Sequence, residues 1–464
     1  MIRPTPELAE ISSSLESFKG FGMFWKLFSL SQSDRASQIH ALGDRYHDTY
    51  KLTRSLADLE LAIQKFKEAL DITPLNHPDR VRRLHNLGLR YGNKFQRIGV
   101  TSDLEQAIHF VQEAVDTVPQ DHPDRLVLLQ NLGINYQQKY RRTNVVADLA
   151  QAIQLKREAL AITPSNHPDR AKRLRSLGIG YGDKYKATGD IADLEESLRL
   201  NQVALDLTPS HHPDRASRLD SLGVSYTDKY RISGDVSNLI QAIRQYQEAL
   251  NIAAPDDKSR PRRLRNLGIA YRDKYESTGD ISDLEHAIQQ FCGALDSTAP
   301  DDPQRASRLQ SLGLGYSKRY EKVGAMADLD KSIQLFQEAL ELTPPDHSDR
   351  ALLLQSIGYG YGAKYRRTED KQYLDKATDQ IQKSLGLTPQ GHIHLAERLS
   401  QLGTGYLDRY RSAGAISDLE FVIQQFQKVV DITPPNHIDR AERLLQLGIA
   451  YKDKYRSTEA ISDL

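Results

Sequence analysis

Apolar positions fall into two alternating helical patterns. In one stretch Leu104, Ala107, Ile108, Val111, Ala114 and Val115 are spaced i, i+3, i+4, i+7, i+10, i+11, which places them on one face of a helix. Pro119 then ends the run, as a residue that cannot continue a helix. The next stretch reads R-L-x-x-L-G-x-x-Y-x-x-K-Y, as from Arg263 to Tyr275, and is followed by Gly279 at a position suited to a left-handed helix cap. No stretch alternates apolar and polar residues as a half-buried strand would, so the pattern predicts an all-α chain.

The two patterns return together every 45 residues, without insertion or deletion. An Asp-Leu pair opens the first pattern at Asp58, Asp103, Asp148, Asp193, Asp283, Asp328, Asp418 and Asp463, with Asn238 and Tyr373 at the two remaining registers. Nine whole units run over 58–462, and a half unit precedes them. A period of this size marks a repeat architecture, in which each unit buries its apolar face on its neighbours. Residues 34–464 are therefore read as one solenoid. Residues 1–33 lack the repeat and hold the only tryptophan, Trp25; they are read as a degenerate capping segment.

Local punctuation supports this division. His-Pro-Asp-Arg at 77–80, 122–125, 167–170 and 212–215 places proline and aspartate where the second helix begins. Ser282 with Glu285 has the spacing of a capping box for the first helix. A glycine recurs inside the second helix, for example Gly88, Gly133 and Gly268, at a cost of about 1 kcal/mol relative to alanine. Close packing against a small residue of the following helix, such as Ala107 or Ala287, is the expected offset.

The sequence Leu267-Gly268-x-x-Tyr271, followed by Ala287, Phe291 and Ala294, resembles the tetratricopeptide repeat signature in order and in spacing within each helix. The interval between helices is about two turns longer than in the 34-residue form. With its HPDRAxxL start it is similar to the long variant of kinesin light chains and of fungal arrays that precede CHAT peptidase domains. The resemblance covers residues 34–464. It implies a right-handed superhelical solenoid of antiparallel helix pairs, with a concave face lined mainly by one helix of each pair. It also implies binding of a partner protein or peptide, with no chemistry of its own. In two units the Phe291 position becomes Lys156 and Asn201, where Leu155 and Leu200 are expected to take over the burial.

Composition narrows the function. Lys+Arg and Asp+Glu are both 62, so the chain lacks the basic surplus that phosphate binding requires, and a nucleic-acid partner is not expected. An RNA-binding helical array is the weakest alternative on this ground. No apolar run reaches the length of a membrane span. One cysteine, Cys292, excludes an internal disulfide and suits a reducing, cytoplasmic setting. No catalytic motif, metal-ligand cluster or cofactor loop appears, and neither an enzyme nor a cofactor is expected.

The informative variation lies on the second helix, on a stripe offset from the Leu-Gly-Tyr face. There the residues change from unit to unit: Arg82 and His85, Gln130, Lys172 and Arg175, Asp220, Arg262 and Arg265, Gln310, then Gln355 and Tyr359. A constant frame carrying a variable stripe suits a linear peptide groove. Its early units are the more basic, which points to an acidic partner segment. The function expected is a non-catalytic interaction scaffold. The alternative is a sensor array of a larger fungal protein, with a CHAT peptidase or nucleotide-binding receptor part. The chain stops at Asp463-Leu464, where a further helix would begin, so it is read as a fragment or as self-associating through that end.

Overall fold

A computed structural model describes residues 31–458. The capping segment expected over 1–33 therefore lies outside the described residues except at 31–33, as does the end at Asp463-Leu464. Among the described residues there are nineteen helices and no strand. They fall into two compact units, residues 1–212 and 213–464.

The first unit contains α1 (Gln32–Thr53), α2 (Leu56–Asp71), α3 (Arg80–Ile98), α4 (Thr101–Thr117), α5 (Arg125–Thr143), α6 (Val146–Ala161), α7 (Arg170–Thr188) and α8 (Ile191–Asp206). The second contains α9 (Arg215–Ser233), α10 (Val236–Ile252), α11 (Arg260–Thr278), α12 (Ile281–Asp296), α13 (Arg305–Val323), α14 (Met326–Leu342), α15 (Asp349–Thr368), α16 (Lys371–Gly386), α17 (Leu395–Ala413), α18 (Ile416–Asp431) and α19 (Arg440–Thr458). Each odd-numbered helix from α1 to α17 packs most extensively on the even-numbered helix after it, across a two-residue link. Within each unit, the contact across the longer loop before the next odd-numbered helix is smaller.

The two-residue link reverses the chain because its first residue is left-handed. Gly99 has φ 73° and its N–H donates to Phe95 O at 2.7 Å. Asn144, Arg54 and Glu369 adopt the same conformation without glycine, at φ 56° to 58°. In four links the second residue is an aspartate that caps the following helix. Asp280 Oδ1 accepts from Ser282 N at 3.0 Å, and Asp190, Asp235 and Asp370 repeat the contact. The Ser282/Glu285 capping box is thus not formed, because the helix starts at Ile281 and Ser282 already lies within it.

The recurring Asp-Leu pair has two jobs. Its leucine enters the core, where Leu104, Leu149, Leu194 and Leu284 are buried. Its aspartate pairs within the hairpin with a lysine or arginine nine residues earlier: Lys139–Asp148 at 3.1 Å, Lys184–Asp193 and Lys274–Asp283 at 2.8 Å, Arg319–Asp328 at 2.6 Å. Where Tyr373 replaces the aspartate, Lys364 lies over its ring, 4.5 Å from the centroid, and turns to Asp330 at 2.6 Å.

In the longer loop the histidine works as a backbone acceptor. His77 Nδ1 accepts from Asp79 N at 3.1 Å, and His122 Nδ1 accepts from Asp124 N at the same distance. Asp257 and Asp302, which stand in for histidine, accept the equivalent amide at 2.7 Å. The helix starts at Arg80, so Pro78 sits in the turn before it and not at the first helical position. His122→Asp is expected to leave stability unchanged and His122→Ala to cost about 0.5–1 kcal/mol, the net worth of one hydrogen bond. Urea unfolding of both variants checks this, and equal losses would contradict it.

The recurrent mid-helix glycine is packed closely, but against a large group. A Cβ on Gly268 would stand 2.6 Å from the Phe291 ring and 3.1 Å from Ala287 O. Gly313 and Gly403 meet Phe336 and Phe426 in the same way. The small residue lets its backbone approach, while the side chain that fills the gap is the aromatic one turn later.

Candidate functional site

The second helix of the sequence unit is the odd-numbered helix of each hairpin, and its variable stripe is partly exposed. Much of it is occupied by contacts to the next odd-numbered helix. His85 Nε2 meets Asn131 Nδ2 at 2.7 Å, Gln130 donates to Ser176 Oγ at 3.0 Å, and Arg265 Nε donates to Ser311 Oγ at 2.9 Å. Gln355 is buried; it donates to Glu397 at 2.9 Å and accepts from Arg398 Nε at 2.9 Å. Asp220 is also buried, paired with Arg262. Tyr359 donates to Glu321 at 3.2 Å. Arg175 and Gln310 are half-buried on the same face. Arg82 and Lys172 are exposed, with Arg82 3.3 Å from Asp79.

These bridges span 42 to 46 residues, one repeat period plus or minus a few positions. They tie successive hairpins together inside each unit. What they leave at the surface is a column of third-position residues on several odd-numbered helices: Arg82, Val127 and Lys172 in the first unit, and Glu442 in the second, all exposed. The column begins basic and ends acidic.

Two arginine columns lie beside it. Arg80 donates to Thr73 O at 3.2 Å and to Glu113 at 2.7 Å, and Arg350 donates to Thr343 O at 2.6 Å, closing the end of the preceding helix. The other column was not singled out from sequence. Arg83 and Arg263 are fully buried; Arg263 pairs with Asp257 at 2.7 Å, and Arg83 reaches Thr73 Oγ1 and Ser37 Oγ. Its signal was the arginine that recurs before Leu84, Leu174, Leu219 and Leu264.

The tyrosines pack as structural rings. Tyr91 stacks on Phe110 with centroids 5.7 Å apart, and Tyr361 stacks on Tyr373 at 6.1 Å. Gln247 and Gln382 donate to the hydroxyls of Tyr271 and Tyr406, both at 2.8 Å. Cys292 is half-buried, and burial pushes its thiol up.

Leu155 and Leu200 are buried as expected, but Lys156 and Asn201 are buried beside them. Lys156 Nζ donates to Gln137 Oε1 and, at 3.1 Å, to Ser176 O. Burial first, and then Arg141, holds its amine down to about 7, with Asp183 acting in the opposite sense.

Among the described residues no helix is long and apolar enough to cross a membrane. A family model described as tetratricopeptide repeat matches residues 35–79. None of the curated proteins compared matches the chain. Among solved structures, the nearly identical TPR-like repeats of a putative kinesin light chain from Podosopora anserina are 19% identical, with a TM-score of 0.36, over 49% of this chain and 99% of theirs. A STAND signal-transduction ATPase with a tetratricopeptide repeat sensor from Pyrococcus horikoshii is 12% identical, with a TM-score of 0.53, over 95% of this chain and 64% of that one. The latter is a likeness of fold. The matched unit is similar to the tetratricopeptide repeat, and its pattern recurs every 45 residues, with the Leu-Gly-x-x-Tyr helix packed on the Ala-bearing helix that follows.

Proposed function

We propose that the chain is a non-catalytic scaffold that binds an extended partner segment on the face formed by its odd-numbered helices. Tetratricopeptide arrays generally serve protein interaction, and the observation that carries the reading here is the exposed third-position column. Its neighbours are fixed by core packing and by hairpin-to-hairpin bridges, while this column carries Arg82 and Lys172 in the first unit and Glu442 in the second. Exposed charges select partners by complementarity. The first unit favours an acidic segment. The likeness to the repeat sensor of the STAND ATPase is one of fold, and it is compatible with this array acting as the sensor of a larger protein.

Arg82 and Lys172 are the residues to change, because Arg262 holds the buried Asp220 and its loss would disturb folding. A displayed random-peptide library panned on the chain is expected to enrich acidic segments. The Arg82→Glu plus Lys172→Glu variant should lose that enrichment while melting as the parent does. Equal enrichment on both proteins would remove the acidic-partner reading.

A further inference from the structure

One break in the core columns opens a cavity on this face of the second unit. The position that holds Ile288, Ile333 and Ile423 in other repeats holds Thr378. Ile288 and Ile333 fill the space above Gly315 and Gly360, reaching 3.0 and 2.6 Å from the Cβ each glycine lacks. Gly405 meets only the Cγ2 of Thr378, at 2.9 Å. The aliphatic residue found at Leu314 and Ile449 is also replaced, by Thr404. A cavity of about 170 Å³ results, walled by α15 and α17 and floored by Leu374, Ala377 and Ile381 of α16.

Its polar wall includes the Arg366 guanidinium and leaves two acceptors without a hydrogen-bond donor. Gln401 Oε1 is buried and has no hydrogen-bond partner, while the amide's other end donates to Glu397 at 3.4 Å. Asp408 makes neither a hydrogen bond nor an ion pair among the described residues; Arg366 and Arg411 act on it only through space. Arg141 and Arg231 reach Asp183 and Asp273 from the register of Arg366, at 2.8 and 3.6 Å, so Asp408 is an exception to its own column. Burial pushes its carboxyl above the usual range. Of the lining residues, Tyr359 is bonded to Glu321 and Gln401 to Glu397.

We propose that this cavity takes one arginine or lysine side chain of an extended partner segment, its aliphatic stem on Ala377 and Ile381 and its cationic head at Asp408. The proposal rests on the scaffold reading and names the chemistry at one place on that surface. Both unfilled groups are acceptors, which a donor-rich cation answers and an anion does not, and Asp408 stands beside Arg366 as the acidic group of the lining. Gln401 and Asp408 are two turns apart on α17, about 10 Å along the axis. An extended arginine, from backbone amide to guanidinium, covers most of that span. The volume suits one side chain and not a folded domain.

The test uses the full chain and three probes: the N-acetyl methylamides of arginine, norleucine and glutamate, titrated by saturation-transfer NMR. The arginine probe is expected to bind at least tenfold more tightly than the other two. Asp408→Asn should weaken it at least tenfold by removing the charge. Thr378→Ile should do the same by filling the cavity, and its melting temperature should not fall, since isoleucine is the residue of the neighbouring repeats. No binding of the arginine probe, binding no tighter than norleucine, or binding unmoved by either substitution overturns the proposal. These readouts are separate from the enrichment of acidic segments, which depends on Arg82 and Lys172 of the other unit.

Discussion

Replacing Gly268 with alanine is expected to destabilise the second unit by about 2–3 kcal/mol, the usual range for overpacking a filled core. The added Cβ would stand 2.6 Å from Cε1 and 2.7 Å from Cδ1 of Phe291, a ring that is 1% exposed. On the other side Ala287 O is 3.1 Å away, and it belongs to the backbone of α12. Neither neighbour can swing aside, so the two helices must separate, and Gly268→Leu should cost more still.

Gly92 in α3 provides the control. It is also mid-helix, but its missing Cβ would meet only Asn135 Oδ1, at 3.9 Å. Gly92→Ala should therefore stabilise the first unit by up to about 1 kcal/mol, the difference in helix propensity. Opposite shifts of the urea midpoint in the two variants are the expected result. A loss in both would mean that these glycines are kept for backbone freedom and not for the close approach.

The repeat, the helices and their partners were legible because each rests on local chemistry that recurs at a fixed interval. Gly99 and Gly279 reverse the chain, and Leu104 and Leu284 face inward. The bridging role of the stripe was hidden by the same periodicity. His85 differs from Gln130 and Arg265 whether each faces solvent or the next hairpin, and its partner Asn131 lies 46 residues away. Complementary types about one period apart, such as Arg141 with Asp183 at 42 residues, are the signal that identifies such bridges. The cavity was half visible: Thr378 and Thr404 interrupt two aliphatic columns. Whether neighbours collapse into the gap depends on side-chain volumes, not on pattern.

Lys156 escaped for a different reason. Leu155 was expected to replace it in the core, yet neighbouring positions on a helix differ by only about 100°. On a helix packed between two hairpins, both can face inward. Both are buried, and the amine is held at about 7. In the unfolded chain it titrates near its usual value of about 10.4. Between those values the unfolded state carries a proton that the folded state lacks, so stability rises with pH. The residue's share of that slope is at most about 1.4 kcal/mol per pH unit. Below about 7 both states are protonated and its contribution stays at its lowest.

Lys156→Phe should abolish this share. Phenylalanine is the residue of the same column at Phe66, Phe291 and Phe336. Gly180 beside Lys156 corresponds to Gly315 beside Phe291, so the ring has its space. The variant leaves Gln137 Oε1 without the lysine as donor, which offsets part of the gain. Lys156→Met, which keeps the stem and removes only the amine, separates charge from shape. Urea unfolding from pH 6.5 to 9.5 is expected to show the parent gaining stability with pH more steeply than either variant, with the largest difference near pH 7. Parallel pH profiles for all three proteins would show that the amine is solvated in the folded chain and that the hairpins around Gln137 and Ser176 are less closely packed than described.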